Sequence, residues 1–303
     1  MLPIYHLMKE IPFANEYKAV NGVTGPIIQW NPNRVEPLRK ITPDQWLVFF
    51  LSLAQIEKLP LIKLDLEFPS CEAALIRKSP NLKILYLKRL DSLDWKEVGK
   101  YCRQLEELSV QYVSQIDLAF LDESIQLFKL HVSYCRDVKW FTKPQMRLNF
   151  IDCSSCQNVT EKTLQLFRST APNLTSLNIS NCSLLKGESL RLLKGSKIQT
   201  LWMNDIDLEA AVVNENKEFF AQLIKLSVIG CRITTSACNE LDRYGYQLRD
   251  LNLSDNPDLS FEALKSLILN LENLKLLNIM GTTLSSDQIG QLTALRPLLK
   301  ITT

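Results

Sequence analysis

The chain has 303 residues, 46% of them hydrophobic, and its 35 Lys plus Arg against 33 Asp plus Glu leave a formal net charge of +2. That balance lacks the concentrated basic charge that phosphate-backbone binding requires, so nucleic acid is not an expected partner. No stretch reaches the ~18 consecutive apolar residues of a membrane span, and residues 1–10 lack the charged start and apolar core of a secretory signal, so a cytoplasmic protein without a membrane span is expected.

In chain order, residues 1–60 carry a Pro/Asn-rich stretch (TGPIIQWNPN) followed by TPDQWLVFFLSLAQIEKL. There Thr42 with Gln45 makes a capping box and Pro43 suits a first helical turn, so this segment reads as an N-terminal cap. From Leu61 onward the template L-x-x-L-x-L-x-x-(C/N) recurs. Its first positions are Leu61, Leu82, Leu105, Leu127, Leu148, Leu174, Ile198, Leu223, Leu248 and Leu274, ten copies set 21 to 26 residues apart. This matches the ~20–29-residue period of leucine-rich repeats.

Within each copy the apolar fourth and sixth positions, such as Leu130/Val132 and Leu251/Leu253, predict a short strand with one buried face. The ninth position holds Cys135, Cys156, Cys182, Cys231, Asn256 or Thr282, small side chains able to bond backbone groups at a turn. Amphipathic stretches such as 161–169 and 260–270 predict convex helices. Copies before Leu148 are shorter and leave room only for a turn or a short helix, whereas later ones fit two to three helical turns. After Leu284, SSDQIGQLTALRPLLKITT predicts one more helix and a partial strand, a C-terminal cap over 285–303.

The phrases CRQLEELSV, APNLTSLNISNCSLLKGESL and LRDLNLSDNPDLSFEAL resemble the cysteine-containing leucine-rich repeats of F-box proteins, and they are similar to the repeats of Legionella-type translocated effectors. The resemblance covers about residues 61–284. It implies an α/β leucine-rich-repeat solenoid: a curved horseshoe with a parallel concave sheet and convex helices, about ten repeats between two caps. An F-box would place a Leu/Pro-patterned three-helix segment at the start, and that segment is absent.

Eight cysteines in a chain this hydrophobic read as reduced core thiols rather than a disulfide framework. Cys153-x-x-Cys156 has metal-site spacing, but both residues fall on inward template positions and no second Cys or His pair follows, so no metal is expected. The histidines are His6 and His131. His131 is expected to face outward while the cysteines near it face inward, which leaves no Cys-His nucleophile. No phosphate loop or dinucleotide fingerprint occurs, so no cofactor and no catalysis are expected; an enzyme housed in the N-terminal cap would have Asp44 and Glu57 to work with.

Side-chain alternation aims the third, fifth and seventh positions, with the eighth beside them, at solvent on the concave side. Those positions hold Tyr86, Lys88, Arg89, Tyr112, His131, Tyr134, Phe150 and Trp202, residue types that anchor protein interfaces. Later copies place Asp205, Asp250, Asn252, Ser254, Asp255 and Asn278 there, which reads as a solvated face. The expected function is non-catalytic binding of another protein, a host protein or another effector and possibly an enzyme that it masks or inhibits. As an effector the protein would be secreted into a host cell's cytoplasm. The alternative is a substrate-recognition subunit of a ubiquitin ligase, whose docking segment would lie within residues 1–60.

Overall fold

A computed structural model describes residues 27–29, 63–67, 76–90, 93–123 and 126–303. The Thr42/Gln45 capping box, Pro43, Asp44, Glu57 and His6 lie outside them. The chain divides into two compact units, 1–148 and 149–303, at the point where the repeats lengthen.

The first unit is built on parallel strands β1 (Ile27–Gln29), β2 (Lys63–Glu67), β3 (Ile84–Lys88), β4 (Glu107–Gln111) and β6 (Lys129–Ser133). They pair in that order, with Leu64, Leu85, Leu108 and Leu130 in register. β1 lies within the segment read as a cap. The template leucines point inward because side chains alternate along a strand: Leu82, Leu85, Leu105, Leu108, Val110, Leu130 and Val132 are all 0% exposed. On the other side of this core, β5 (Gln115–Asp117) and β7 (Asp137–Lys139) form a second, two-stranded parallel sheet. Helix α1 (Trp95–Tyr101) is capped by Asp94, which accepts from the Lys96 amide at 3.0 Å. It buries Trp95 and Val98, and Trp95 stacks on Phe120 at 6.3 Å. Gly99 is required for that approach, since a Cβ there would sit 2.6 Å from the Phe120 Cβ.

The second unit repeats the scheme with shorter strands and longer helices. Its parallel sheet runs β8 (Phe150–Asp152), β9 (Ser176–Asn178), β10 (Thr200–Trp202), β11 (Lys225–Ser227), β12 (Asp250–Asn252), β13 (Leu276–Asn278) and β14 (Lys300–Thr302). Outside it lie α2 (Glu161–Thr170), α3 (Ala210–Glu215), α4 (Lys217–Ala221), α5 (Thr235–Tyr244), α6 (Phe261–Asn270) and α7 (Ser286–Leu295), with a 310 helix at Gly187–Leu193. Hydroxyls start three of these helices. Thr234, Ser260 and Ser285 accept from the amides of Ala237, Ala263 and Gln288 at 3.2 Å, satisfying donors that a helix start leaves bare. Each of the ten sequence repeats thus contributes one strand, and the 10-residue helices fall where the longer repeats left room for them. No helix of the described residues is long and apolar enough to cross a membrane.

Candidate partner-binding face

In the first unit the alternation that buries the leucines presents the intervening residues on the open side of the sheet. Lys63 lies over the Tyr86 ring at 4.4 Å, and the Tyr86 hydroxyl donates to Glu107. Lys129 stands 3.8 Å from the same carboxylate. In register, the fifth-position row is Tyr86, Ser109, His131, so a small residue separates two larger half-buried ones. Lys63, Glu107 and Lys129 are not among the named candidate residues, although side-chain alternation aims their position at this face. They occupy the third template position, and a reading that weighed ion pairs beside aromatic rings would have found them.

The eighth position turns the chain out of the strand, and in every repeat from Leu82 on its residue is left-handed. In the first unit these residues are Arg89 (φ 58), Tyr112 (φ 55) and Tyr134 (φ 56). In the second they are Ser155, Asn181, Asp205, Gly230, Asp255 and Gly281. Glycine takes this conformation without penalty and Asn or Asp at a reduced one, while a residue with a bulky side chain pays about 1–2 kcal/mol. The first unit carries that cost three times in succession. Tyr112 and Tyr134 are 42% and 52% exposed, and their rings stack at 4.6 Å with an interplanar angle of 10°. Arg89 lies 5.6 Å and Lys88 5.8 Å from the Tyr112 ring centroid. The rim is thus one continuous column: guanidinium, ring, ring.

The second unit holds Phe150 and Trp202, both half-buried, edge to face at 6.2 Å. Its polar residues are largely occupied by the fold. Asp152, Asn178, Asn252 and Asn278 each accept, through Oδ1, the amide two residues on, at 3.0–3.1 Å. Where the fifth position is Trp202 or Ser227 the preceding repeat supplies the acceptor: Ser180 Oγ takes the Asn204 amide at 3.1 Å, and Asn204 Oδ1 takes the Ile229 amide at 3.0 Å. Asp250 pairs with Lys225 at 2.6 Å. Asp205 and Asp255 are exposed. Ser254, expected in solvent, is 2% exposed, because its hydroxyl folds back to donate to Asn252 Oδ1 at 2.7 Å.

The ninth-position residues bond backbone from inside. Cys182 Sγ donates to the Cys153 carbonyl at 3.2 Å and Cys231 Sγ to the Met203 carbonyl at 3.2 Å. Asn256, 0% exposed, donates to the carbonyls of Val228, Leu253 and Ser254 and accepts the Ile233 amide. The seven described cysteines are buried, and no disulfide joins them. Burial pushes the thiols of Cys102, Cys231 and Cys238 up to about 12, and Cys153, hydrogen-bonded to Cys182 and desolvated, is also raised. A thiol held neutral in this way is a poor nucleophile. Among the described residues no three His, Cys, Asp or Glu side chains lie together as a metal site.

This architecture of one strand per repeat, inward leucines and a turn-bonding ninth residue defines a leucine-rich-repeat solenoid. Solved structures agree in fold. Rad7 in the Rad7–Elc1 complex of yeast is similar over 99% of this chain and 88% of its own, with a TM-score of 0.57 and 18% identity. An internalin (inlF) of Listeria monocytogenes is similar over 83% of this chain and 82% of its own, at a TM-score of 0.50 and 17% identity. No protein-family model and no curated protein sequence matches the chain.

Proposed function

We propose that the protein is a non-catalytic module that binds another protein through the open sheet face of its first unit. The observation that carries this reading is the contiguous set Tyr86, Lys88, Arg89, Tyr112, His131 and Tyr134, aromatic and basic, on adjacent paired strands and their turns. Interfaces concentrate their binding energy in such residues. Phe150 and Trp202 supply a second aromatic contact on the second unit. Residues 1–60 and 285–303 act as caps on repeats 61–284. The proposal places the protein in cytoplasm, as an effector that masks or inhibits a target enzyme, with no cofactor. Affinity capture with mass spectrometry identifies the partner. Alanine or charge-reversal changes at Tyr86, Arg89, Tyr134 and Trp202 then weaken it, and unchanged affinity across the set rejects this face.

A second reading, substrate recognition within a ubiquitin ligase, is favoured by the likeness to Rad7, which was solved in complex with Elc1. It predicts co-purification with a cullin adaptor that is lost on deleting residues 1–60.

A further inference from the structure

We infer that the column Arg89–Tyr112–Tyr134 is a receptor for an acidic protein segment, a claim that rests on the face proposed above and names the chemistry of what it takes. Three bulky residues in succession hold the left-handed conformation that the second unit fills with Ser, Asn, Asp and Gly. Backbone strain of this kind persists where a side chain is needed in one place. Here it aligns two rings and a guanidinium along one rim, with both tyrosines about half exposed.

The electrostatics of the column select the occupant. Lys88 and Arg89 stand against the Tyr112 ring, whose face is its electron-rich side. Tyr112, with these cations on one face and Tyr134 on the other, is left to present its electropositive ring edge, and each tyrosine adds a hydroxyl donor. The guanidinium beside them is a planar fork matched to a carboxylate. An Asp- or Glu-bearing segment with an apolar residue to cover the rings fits this surface. A nucleic-acid strand fits it poorly. Rings already 4.6 Å apart leave no slot for a base between them.

Fluorescence anisotropy with the full chain tests this, using a labelled decapeptide of Glu with two central Phe and its counterpart with Lys in place of Glu. The acidic peptide binds and weakens as salt rises, while the basic one does not bind. Arg89→Glu lowers the acidic peptide's affinity by about tenfold or more, the scale of a charge pair turned repulsive. Tyr134→Asn and Tyr112→Asn lower it by about fivefold, the scale of a lost aromatic contact, without lowering the melting temperature. Equal binding of the two peptides overturns the acidic preference, as does displacement of the acidic peptide by a single-stranded oligouridylate. A melting temperature that falls with Tyr134→Asn overturns the claim that the row is strained for binding. If the captured partner loses affinity in the tyrosine variants while the peptides fail to discriminate, the face stands and the acidic segment falls. If neither partner nor peptide responds to any variant, both readings fall.

Discussion

The corner at which each strand ends is built by different chemistry in the two units. In the first, β3, β4 and β6 run five residues, and the backbone of Lys88, Gln111 and Ser133 stays in the parallel ladder. In the second, strands stop after three residues, and the amide that would have continued the ladder bonds a side-chain oxygen. Asx side chains compete with sheet bonding in this way. The carbonyl left over in the preceding repeat is then taken by the ninth-position side chain: Cys182 and Cys231 reach it at 3.2 Å and Asn256 at 2.9 Å. In the first unit the ladder already uses that carbonyl, and Cys135 stands 3.8 Å from Val110 O. Asp or Asn at the fifth position is therefore structural in the second unit. In β3, β4 and β6 the longer ladder makes that bond instead, which leaves the fifth position to Tyr86, Ser109 and His131.

The largest expected effect probes what the two units share. Cys102 in the first and Cys231 and Cys238 in the second have thiols raised from 9.0 to about 12. A raised folded-state value means stability is intact below pH ~9 and lost as pH climbs toward 12, at about 1.4 kcal/mol per thiol per pH unit. Urea midpoints followed by circular dichroism from pH 8 to 11 should fall accordingly. A flat profile would mean that the thiols ionise freely.

Next in size, Asn256→Leu strands three carbonyls and one amide of the second unit's corner and should cost about 3 kcal/mol or more. Cys135→Val, the same template position in the first unit, should cost under ~1 kcal/mol, because the ladder keeps its carbonyl satisfied. Equal losses in chemical denaturation would mean that the ninth position does the same work in both units.

Gly281→Ala sharpens the comparison at the eighth position. With φ at +73° and a virtual Cβ 2.1 Å from Asp255 Oδ1, it should lose about 2 kcal/mol. Asn278→Leu removes the acceptor of the Met280 amide and should cost about 1 kcal/mol in the same assay. The smallest change is Tyr134→Asn. Relief of left-handed strain offsets the lost ring stack, so stability should stay level or rise by up to ~1 kcal/mol. A clear loss would show that the tyrosines hold the fold rather than a ligand.

Much of this molecule was legible before any coordinates. The spacing of ten leucine templates set one strand per repeat, because a period of 21 to 26 residues with alternating burial has room for little else. The same pattern placed Tyr86, Lys88, Arg89, Tyr112, His131 and Tyr134 on or beside the open face, since a strand's side chains alternate whatever their identity. Only the tertiary structure decided that Ser254 turns inward, that Lys63, Tyr86, Glu107 and Lys129 link into one chain of contacts, and that the asparagines serve backbone amides. The left-handed conformation of Arg89, Tyr112 and Tyr134 was equally hidden, because no local preference calls for it. Strand burial is a property of sequence period, whereas the bonding of a corner depends on which carbonyl the neighbouring repeat leaves open.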